Sequence, residues 1–263
     1  MELKGKHVLI TGASSGIGEA IAKEFAAKGA VLLLAGRNVA ELERVKKACA
    51  GARAVDIVRL DLSQHDVLFD IAEQVLDKHG YIDVLINNAG VSQRAYARDL
   101  PFESDKFIIN VDLLGTIALT KAFLPSMLAR RSGHIVTISS LMGKFGTPLR
   151  SSYAAAKHGL HGFFDSLRAE IYQDNIEVLM VCPGFIRTNV SVNAIGPDGN
   201  KQGTMDEATG KGLEPKVVAQ KIIEALGTDK EEIFIGGKEM IGVYLKRFAP
   251  ALFSRLVRKM KVT

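Results

Sequence analysis

Hydrophobic and polar positions change period in a regular alternation along this chain. Short, nearly continuous apolar runs at 7–11, 31–35, 54–60, 84–87, 134–139, 177–182 and 232–235 predict strands. A run apolar at every position, as at 31–35, predicts a strand buried on both faces. Between the runs the apolar spacing becomes helical. Ile17, Ala20, Ile21 and Phe25 predict a helix over 17–28. Further helices are predicted over 40–50, from a cap at Ser63 to about 79, over 104–130 with Pro125 near the end, over 151–172, and over 215–226 with Pro215 in the first turn. Strands alternating with helices imply a parallel sheet covered on both faces. There is no internal repeat, linker or low-complexity tract, so one domain is expected over 1–263.

Residues 187–214 break this rhythm, with five glycines (196, 199, 203, 210 and 212) and mixed charge. A loop this long after the C-terminal end of a strand is expected to be a mobile lid over a substrate rather than a plain insertion.

Composition narrows the class. The 263 residues suffice for a large core without a disulfide or metal. A chain 47% hydrophobic and 24% charged is neither disordered nor collagen-like. No apolar run approaches the ~18 residues of a membrane span, and the short HVLI run followed at once by a glycine loop is not a signal peptide. Since the fold starts directly, no membrane anchor is expected. Cys49 and Cys182 are far apart and off any metal spacing; both read as buried thiols in a reducing, cytoplasmic setting.

The net charge of +5 is localised. Residues 244–263 hold Lys246, Arg247, Arg255, Arg258, Lys259 and Lys261 and no acid, which leaves 28 basic against 29 acidic residues elsewhere. A near-neutral body argues against nucleic acid as a partner. In the tail, Leu245, Phe248, Ala249, Leu252, Leu256 and Met260 share one helical face, with Lys246, Arg247, Ser254, Arg258 and Lys261 largely opposite; Pro250 kinks or divides the helix. Such a helix lies on anionic membrane lipid or packs its apolar stripe on protein. Packing onto protein is the expected outcome, with a peripheral membrane contact as the alternative.

The loop at 11–18 reads TGASSGIG, with glycines spaced as GxxxGxG. Gly12 permits the strand-to-helix turn, Gly16 lets backbone approach a pyrophosphate, and Gly18 lets the helix pack closely. The helix N-terminus then offers free N–H groups to an anion, which places a dinucleotide along Gly12, Ser14, Ser15, Gly16, Ile17 and Gly18. At the end of the second strand an NAD site usually places an acid, whereas here stand Gly36, Arg37 and Asn38. A 2′-phosphate is repelled by an acid and attracted by a guanidinium, so the expected cofactor is NADP(H).

Tyr153 and Lys157 are four apart in a helical segment and share a face. A phenol is a poor acid–base group at neutral pH unless nearby positive charge favours its phenolate. Ser139-Ser140 ends the fifth strand and Asn87-Asn88-Ala89-Gly90 the fourth. Asn110 interrupts an apolar helix, and Pro183-Gly184 ends the sixth strand with Ile186 and Thr188 just beyond. The glycine loop, the Asn-Asn-Ala-Gly turn, Ser140 and Pro183-Gly184 converge on the C-terminal edge of the expected sheet, where ligands bind in open α/β folds. His158 and His161 are three apart on a helix, but no third ligand is evident and no metal is expected. Met142, Phe145, Leu149 and Phe185 either line an apolar pocket or belong to the core.

These pieces together resemble the short-chain dehydrogenase/reductase family: TGASSGIG at 11–18, Asp61-Leu62, NNAG at 87–90, Asn110, ISS at 138–140, YAAAK at 153–157 and PGFIRT at 183–188. The resemblance implies a doubly wound Rossmann fold, a seven-stranded parallel sheet ordered 3-2-1-4-5-6-7 with helices on both faces. It implies that Tyr153 is the general acid or base, that Lys157 bonds the nicotinamide ribose and tunes Tyr153, and that Ser140 positions the carbonyl oxygen. Asn110 is implied to hold a water linking Lys157 to solvent. Asp61, Leu62, Asn88, Ala89, Gly90, Pro183, Gly184, Ile186 and Thr188 are implied to contact the dinucleotide. Family members usually pair through their long helices, which implies a homo-oligomer. YAAAKHGLHGFFDSLRAE is also similar to the 11β-hydroxysteroid dehydrogenases, which, with the C-terminal third, implies a lipophilic small-molecule carbonyl substrate. The expected activity is NADP(H)-dependent interconversion of a carbonyl and a secondary alcohol. A 3-oxoacyl-thioester reductase and a silent dinucleotide-sensing scaffold are the alternatives.

Overall fold

The computed structural model describes residues 1–259; the predicted contributions of Met260 and Lys261 to the tail lie outside the described residues. Seven strands, β1 (His7–Thr11), β2 (Val31–Gly36), β3 (Ala54–Arg59), β4 (Val84–Asn87), β5 (Gly133–Ile138), β6 (Ile176–Pro183) and β7 (Glu232–Ile235), form one parallel sheet ordered β3-β2-β1-β4-β5-β6-β7, as expected from the sequence. The apolar runs are continuous because alternate residues serve opposite layers. Ile10, Leu32 and Leu34 join the core under α1 (Gly16–Ala26) and α8 (Pro215–Ala225). Leu9, Leu33 and Ala35 join the core under α3 (Leu68–His79), α5 (Gly115–Arg130) and α6 (Ser151–Glu170). α2 (Val39–Ala48) lies over β2 and β3.

The predicted helix over 104–130 is a composite. α4 (Phe102–Ile109) runs into a π turn (Asn110–Leu114), where the Gly115 N–H donates to the Asn110 carbonyl, and continues as α5. By length and composition the helix Phe102–Arg130 is apolar enough to cross a membrane, contrary to the expectation that no segment is. Its apolar surface is used in the core instead, through Leu119, Phe123 and Met127. Ser63 is not the cap of α3. It donates to Asp61, and α3 is entered through a 3-10 turn at His65–Val67.

The segment expected to be a lid packs against the body. Residues 187–214 are stitched to the body by bridges between Ile195 and Gln93 and between Ile186 and Leu213. They contain a short helix, α7 (Glu207–Gly210), and bury Ser191 and Ala194 completely. Of the two outcomes expected at Pro250, the tail shows division into α9 (Ile241–Phe248) and α10 (Pro250–Val257), with Pro250 opening the second because proline lacks the N–H needed further along a helix.

Candidate active site

A cavity of about 1140 Å³ runs along the C-terminal edge of the sheet, from the β1–α1 loop to α9 and α10. The loop begins with Gly12 at φ +64°, and Gly16 sits at φ +58°. A Cβ on Gly12 would lie 2.9 Å from Ala89 Cα, and one on Gly16 3.2 Å from Thr188 Cγ2. Positive φ and these close neighbours hold both positions to glycine, and both line the cavity. Ser15 precedes α1 with extended backbone and makes no side-chain cap, so the first-turn N–H groups stay available beside the cavity. Ser14, Ser15, Gly16 and Ile17 line the cavity. Gly18 does not. A Cβ there would meet the Gly12 carbonyl oxygen at 2.3 Å, so this glycine lets helix and loop interpenetrate and does not face a ligand. The cradle fits a dinucleotide pyrophosphate.

At the end of β2, Arg37 and Asn38 border the cavity and are exposed. Asn38 caps α2 by accepting from the Glu41 N–H, and Arg37 forms no ion pair among the described residues. Arg44, which the sequence reading missed, braces the loop by donating to the Ser14 carbonyl at 3.2 Å and to Glu19 at 2.7 Å. Its hydrogen bond is the largest cause holding the Glu19 carboxyl down at about 2. Asp61 and Leu62 line the next part of the wall, with Asp61 Oδ1 accepting from the Ser63 N–H and hydroxyl. Asn88, Ala89 and Gly90 follow. Asn88 Nδ2 donates to the Thr11 carbonyl at 2.9 Å, and Thr11 Oγ1 accepts from Ala89 N at 3.0 Å, which ties the turn to β1. Asn87 points into the core toward Thr120.

α6 carries Tyr153 and Lys157 to the cavity wall, with Lys157 Nζ 5.6 Å from the centroid of the Tyr153 ring. Lys157 is buried and donates to the Ile138 carbonyl at 3.2 Å. Ser140 also faces the cavity. Its Oγ accepts from Met142 N at 3.1 Å and lies 3.4 Å from the Pro183 carbonyl oxygen. Pro183, Gly184, Ile186 and Thr188 close this side.

Asn110 does not reach the cavity. Its carbonyl accepts from Gly115 N–H across the π turn and lies 2.9 Å from His65 Nε2, on the side away from the cavity lining. Asp112, two residues on and fully buried, stands there instead. Oδ1 accepts from Val91 N at 2.7 Å, and Oδ2 lies 3.3 Å from Lys157 Nζ with no well-aligned hydrogen bond. Burial pushes its carboxyl up, and Lys157 offsets part of that. Gln93 is a second omission. Fully buried, it accepts from Ser152 N at 2.8 Å and Tyr153 N at 3.3 Å and so fixes the first turn of α6. A polar residue just after the Asn-Asn-Ala-Gly turn was the only available signal.

Beyond Tyr153 the cavity becomes apolar. Met142, Phe145 and Phe185 line it, together with Leu245, Phe253 and Val257 from the tail. Leu149 does not line it. On the other flank Arg94 donates from Nε and Nη2 to Asp206 Oδ2 at 2.7 and 2.5 Å, and Arg150 Nη2 lies 3.5 Å from the same oxygen. Burial, then Arg94, lowers the Arg150 guanidinium to about 10.

His158 and His161 do not converge: His158 Nδ1 contacts the Ala154 carbonyl, while His161 Nε2 lies 3.0 Å from Ser139 Oγ. Donor atoms of His161, Cys182 and Glu232 lie within 4.8 Å of one another, but Lys144 Nζ already occupies Glu232 at 2.7 Å and burial pushes the Cys182 thiol up.

Residues 6–196 match the family model for short chain dehydrogenases. A dehydrogenase/reductase SDR family member 7B from Bos taurus is 45% identical over 258 residues, covering 95% of this chain and 79% of the relative. A short chain dehydrogenase/reductase from Burkholderia phymatum in complex with NAD superposes with a TM-score of 0.84 at 25% identity, covering 96% of each chain. A metagenomic short-chain oxidoreductase in complex with NADP gives a TM-score of 0.75 at 31% identity, covering 89% of this chain and 98% of the other. With its glycine cradle, its Tyr153–Lys157 face and its sheet order, this chain belongs to the short-chain dehydrogenase/reductase family of NAD(P)-dependent oxidoreductases that act on CH–OH groups.

Proposed function

We propose that the chain is an NADP(H)-dependent reductase of lipophilic ketones or aldehydes, working in reverse on secondary alcohols. One observation carries this reading: a single cavity joins Arg37 at one end, Tyr153 in the middle and an apolar wall of Phe145, Leu245 and Phe253 at the other. One structural neighbour holds NAD and another NADP, so cofactor choice rests on Arg37, whose guanidinium suits a 2′-phosphate.

The bound dinucleotide supplies the hydride. The Tyr153 hydroxyl delivers a proton to the carbonyl oxygen, and Ser140 Oγ donates a hydrogen bond to that oxygen and fixes its place. Lys157 places its positive charge beside Tyr153, where negative charge develops on the phenolic oxygen as the proton leaves. Asp112 holds the Lys157 ammonium in place. The apolar wall orients the rest of the substrate and excludes water.

The test is NADPH oxidation across a panel of lipophilic ketones, aldehydes and acyl thioesters. Turnover of the ketones or aldehydes is expected, with Tyr153→Phe lowering it by about 10²–10⁴-fold while NADPH binding persists. Turnover confined to acyl thioesters points to a 3-oxoacyl-thioester reductase. Tight NADPH binding with no turnover on any of them overturns the catalytic reading in favour of a dinucleotide sensor.

A further inference from the structure

The tail divides its apolar residues between two destinations. Leu245 of the expected stripe turns inward together with Phe253 and Val257, which lie off that stripe, and the three pack with Leu141 and Phe145. A second set stays in solvent. Ile241 is 64% exposed, Tyr244 59% and Phe248 80%, at i, i+3 and i+7 of α9, while Leu252 and Leu256, i and i+4 on α10, are each 49% exposed. Scattered single exposures are ordinary, but five large side chains on two consecutive helices mark an interaction surface.

The charge around this face is of one sign. Lys246, Arg247, Arg255, Arg258 and Lys259 are exposed, residues 241–259 contain no acid, and none of these cations forms an ion pair among the described residues. A second copy of the chain, paired through this same face, would cover the apolar side chains but set one basic cluster against another. A nucleic acid would neutralise the cations but leave Phe248 and Leu252 in water. An anionic bilayer satisfies both sets, hydrocarbon taking the apolar side chains and headgroups the cations.

We propose that α9 and α10 form a docking rim for the surface of an anionic lipid bilayer. Ile241 and Leu256 belong both to the exposed face and to the cavity wall, so the apolar end of the cavity opens at the rim. A docked molecule presents that opening to the lipid. The proposal concerns binding only and does not depend on the reaction assigned to Tyr153.

The full chain is mixed with vesicles of phosphatidylcholine alone and of phosphatidylcholine with phosphatidylserine, and the bound fraction is read by co-sedimentation. Binding is expected to the anionic vesicles, to weaken with added salt, and to be about tenfold or more weaker for Lys246→Glu/Arg247→Glu. Phe248→Glu/Leu252→Glu, at exposed positions off the cavity wall, is expected to lose binding with its melting temperature unchanged. Equal binding to neutral and anionic vesicles, no binding at all, or undiminished binding by both double variants overturns the proposal. Light scattering on the same proteins completes the test. A Phe248→Glu/Leu252→Glu variant that falls from dimer to monomer, while the unaltered chain ignores the vesicles, assigns the face to self-association and overturns it too.

Discussion

Asp112 and Lys157 meet in the interior: Oδ2 lies 3.3 Å from Nζ, and neither side chain is more than 5% exposed. Removing one partner of a buried pair leaves the other charge uncompensated and costs roughly 3–5 kcal/mol. Asp112→Ala is therefore expected to lower the unfolding free energy by about 3 kcal/mol in urea. Asp112→Asn also removes the charge that faces Lys157 but still accepts from Val91 N, so it is expected to cost about 1 kcal/mol less than Asp112→Ala. A cost below about 0.5 kcal/mol for Asp112→Ala would show that the two groups are not coupled.

Arg37 stands exposed on the cavity wall without an ion-pair partner among the described residues. A hydrogen bond to a charged group contributes about 1.5–3 kcal/mol, a factor of roughly ten to a hundred. The unaltered chain is expected to prefer NADPH over NADH by about that factor. Arg37→Asp is expected to remove the preference, chiefly by raising the KM for NADPH. Initial rates with both cofactors read it directly, and an undiminished NADPH preference in the variant sinks the assignment.

Local signals in the sequence carried the sheet and most of the cradle, and long-range ones did not. Runs such as 31–35 were legible because both faces of each strand are buried, so no polar residue interrupts them. The β1–α1 loop was legible because strand, turn and helix are contiguous. Asn110 and Asp112 were harder to separate. Both are polar residues in one apolar helix, and both lie in the π turn Asn110–Leu114, whose extra residue per turn breaks the ordinary 3.6-residue spacing. The anchoring of 187–214 depends on Arg94 and Asp206, 112 positions apart, and no local pattern reports such a pair. In the tail, Pro250 announced the break, but the buried side chain is Phe253, off the predicted stripe, while Phe248 on that stripe is 80% exposed.

Two glycines of α-helices separate packing from propensity. A Cβ on Gly18 meets the Gly12 carbonyl oxygen at 2.3 Å and Asn88 Nδ2 at 2.6 Å, whereas one on Gly162 meets nothing within 4 Å. Gly18→Ala must push the loop and helix apart and is expected to destabilise by about 1–3 kcal/mol and to weaken dinucleotide binding. Gly162→Ala gains helix propensity on an exposed surface and is expected to stabilise by up to about 1 kcal/mol. Thermal melts of both, with and without NADPH, check the pair of signs.

His161 gives the fold a pH dependence of definite sign. Burial, then the nearby Lys144, lowers its pKa from 6.5 to about 4, so the folded protein keeps the imidazole neutral, with Nε2 beside Ser139 Oγ. The unfolded chain protonates the same group near 6.5. Between pH 6.5 and about 4 the unfolded state therefore binds a proton that the folded state does not, and stability falls as pH falls. The contribution is complete above pH 6.5 and is lost progressively down to about 4, where the folded state protonates too. His79 and His134 are lowered in the same direction, again chiefly by burial, so the wild-type slope is shared. The informative quantity is the difference between proteins. His161→Gln keeps a neutral hydrogen-bonding side chain near Ser139 and cannot titrate, so its urea midpoint is expected to fall less steeply over this window than that of the unaltered chain. Parallel curves would show that His161 protonates alike in both states.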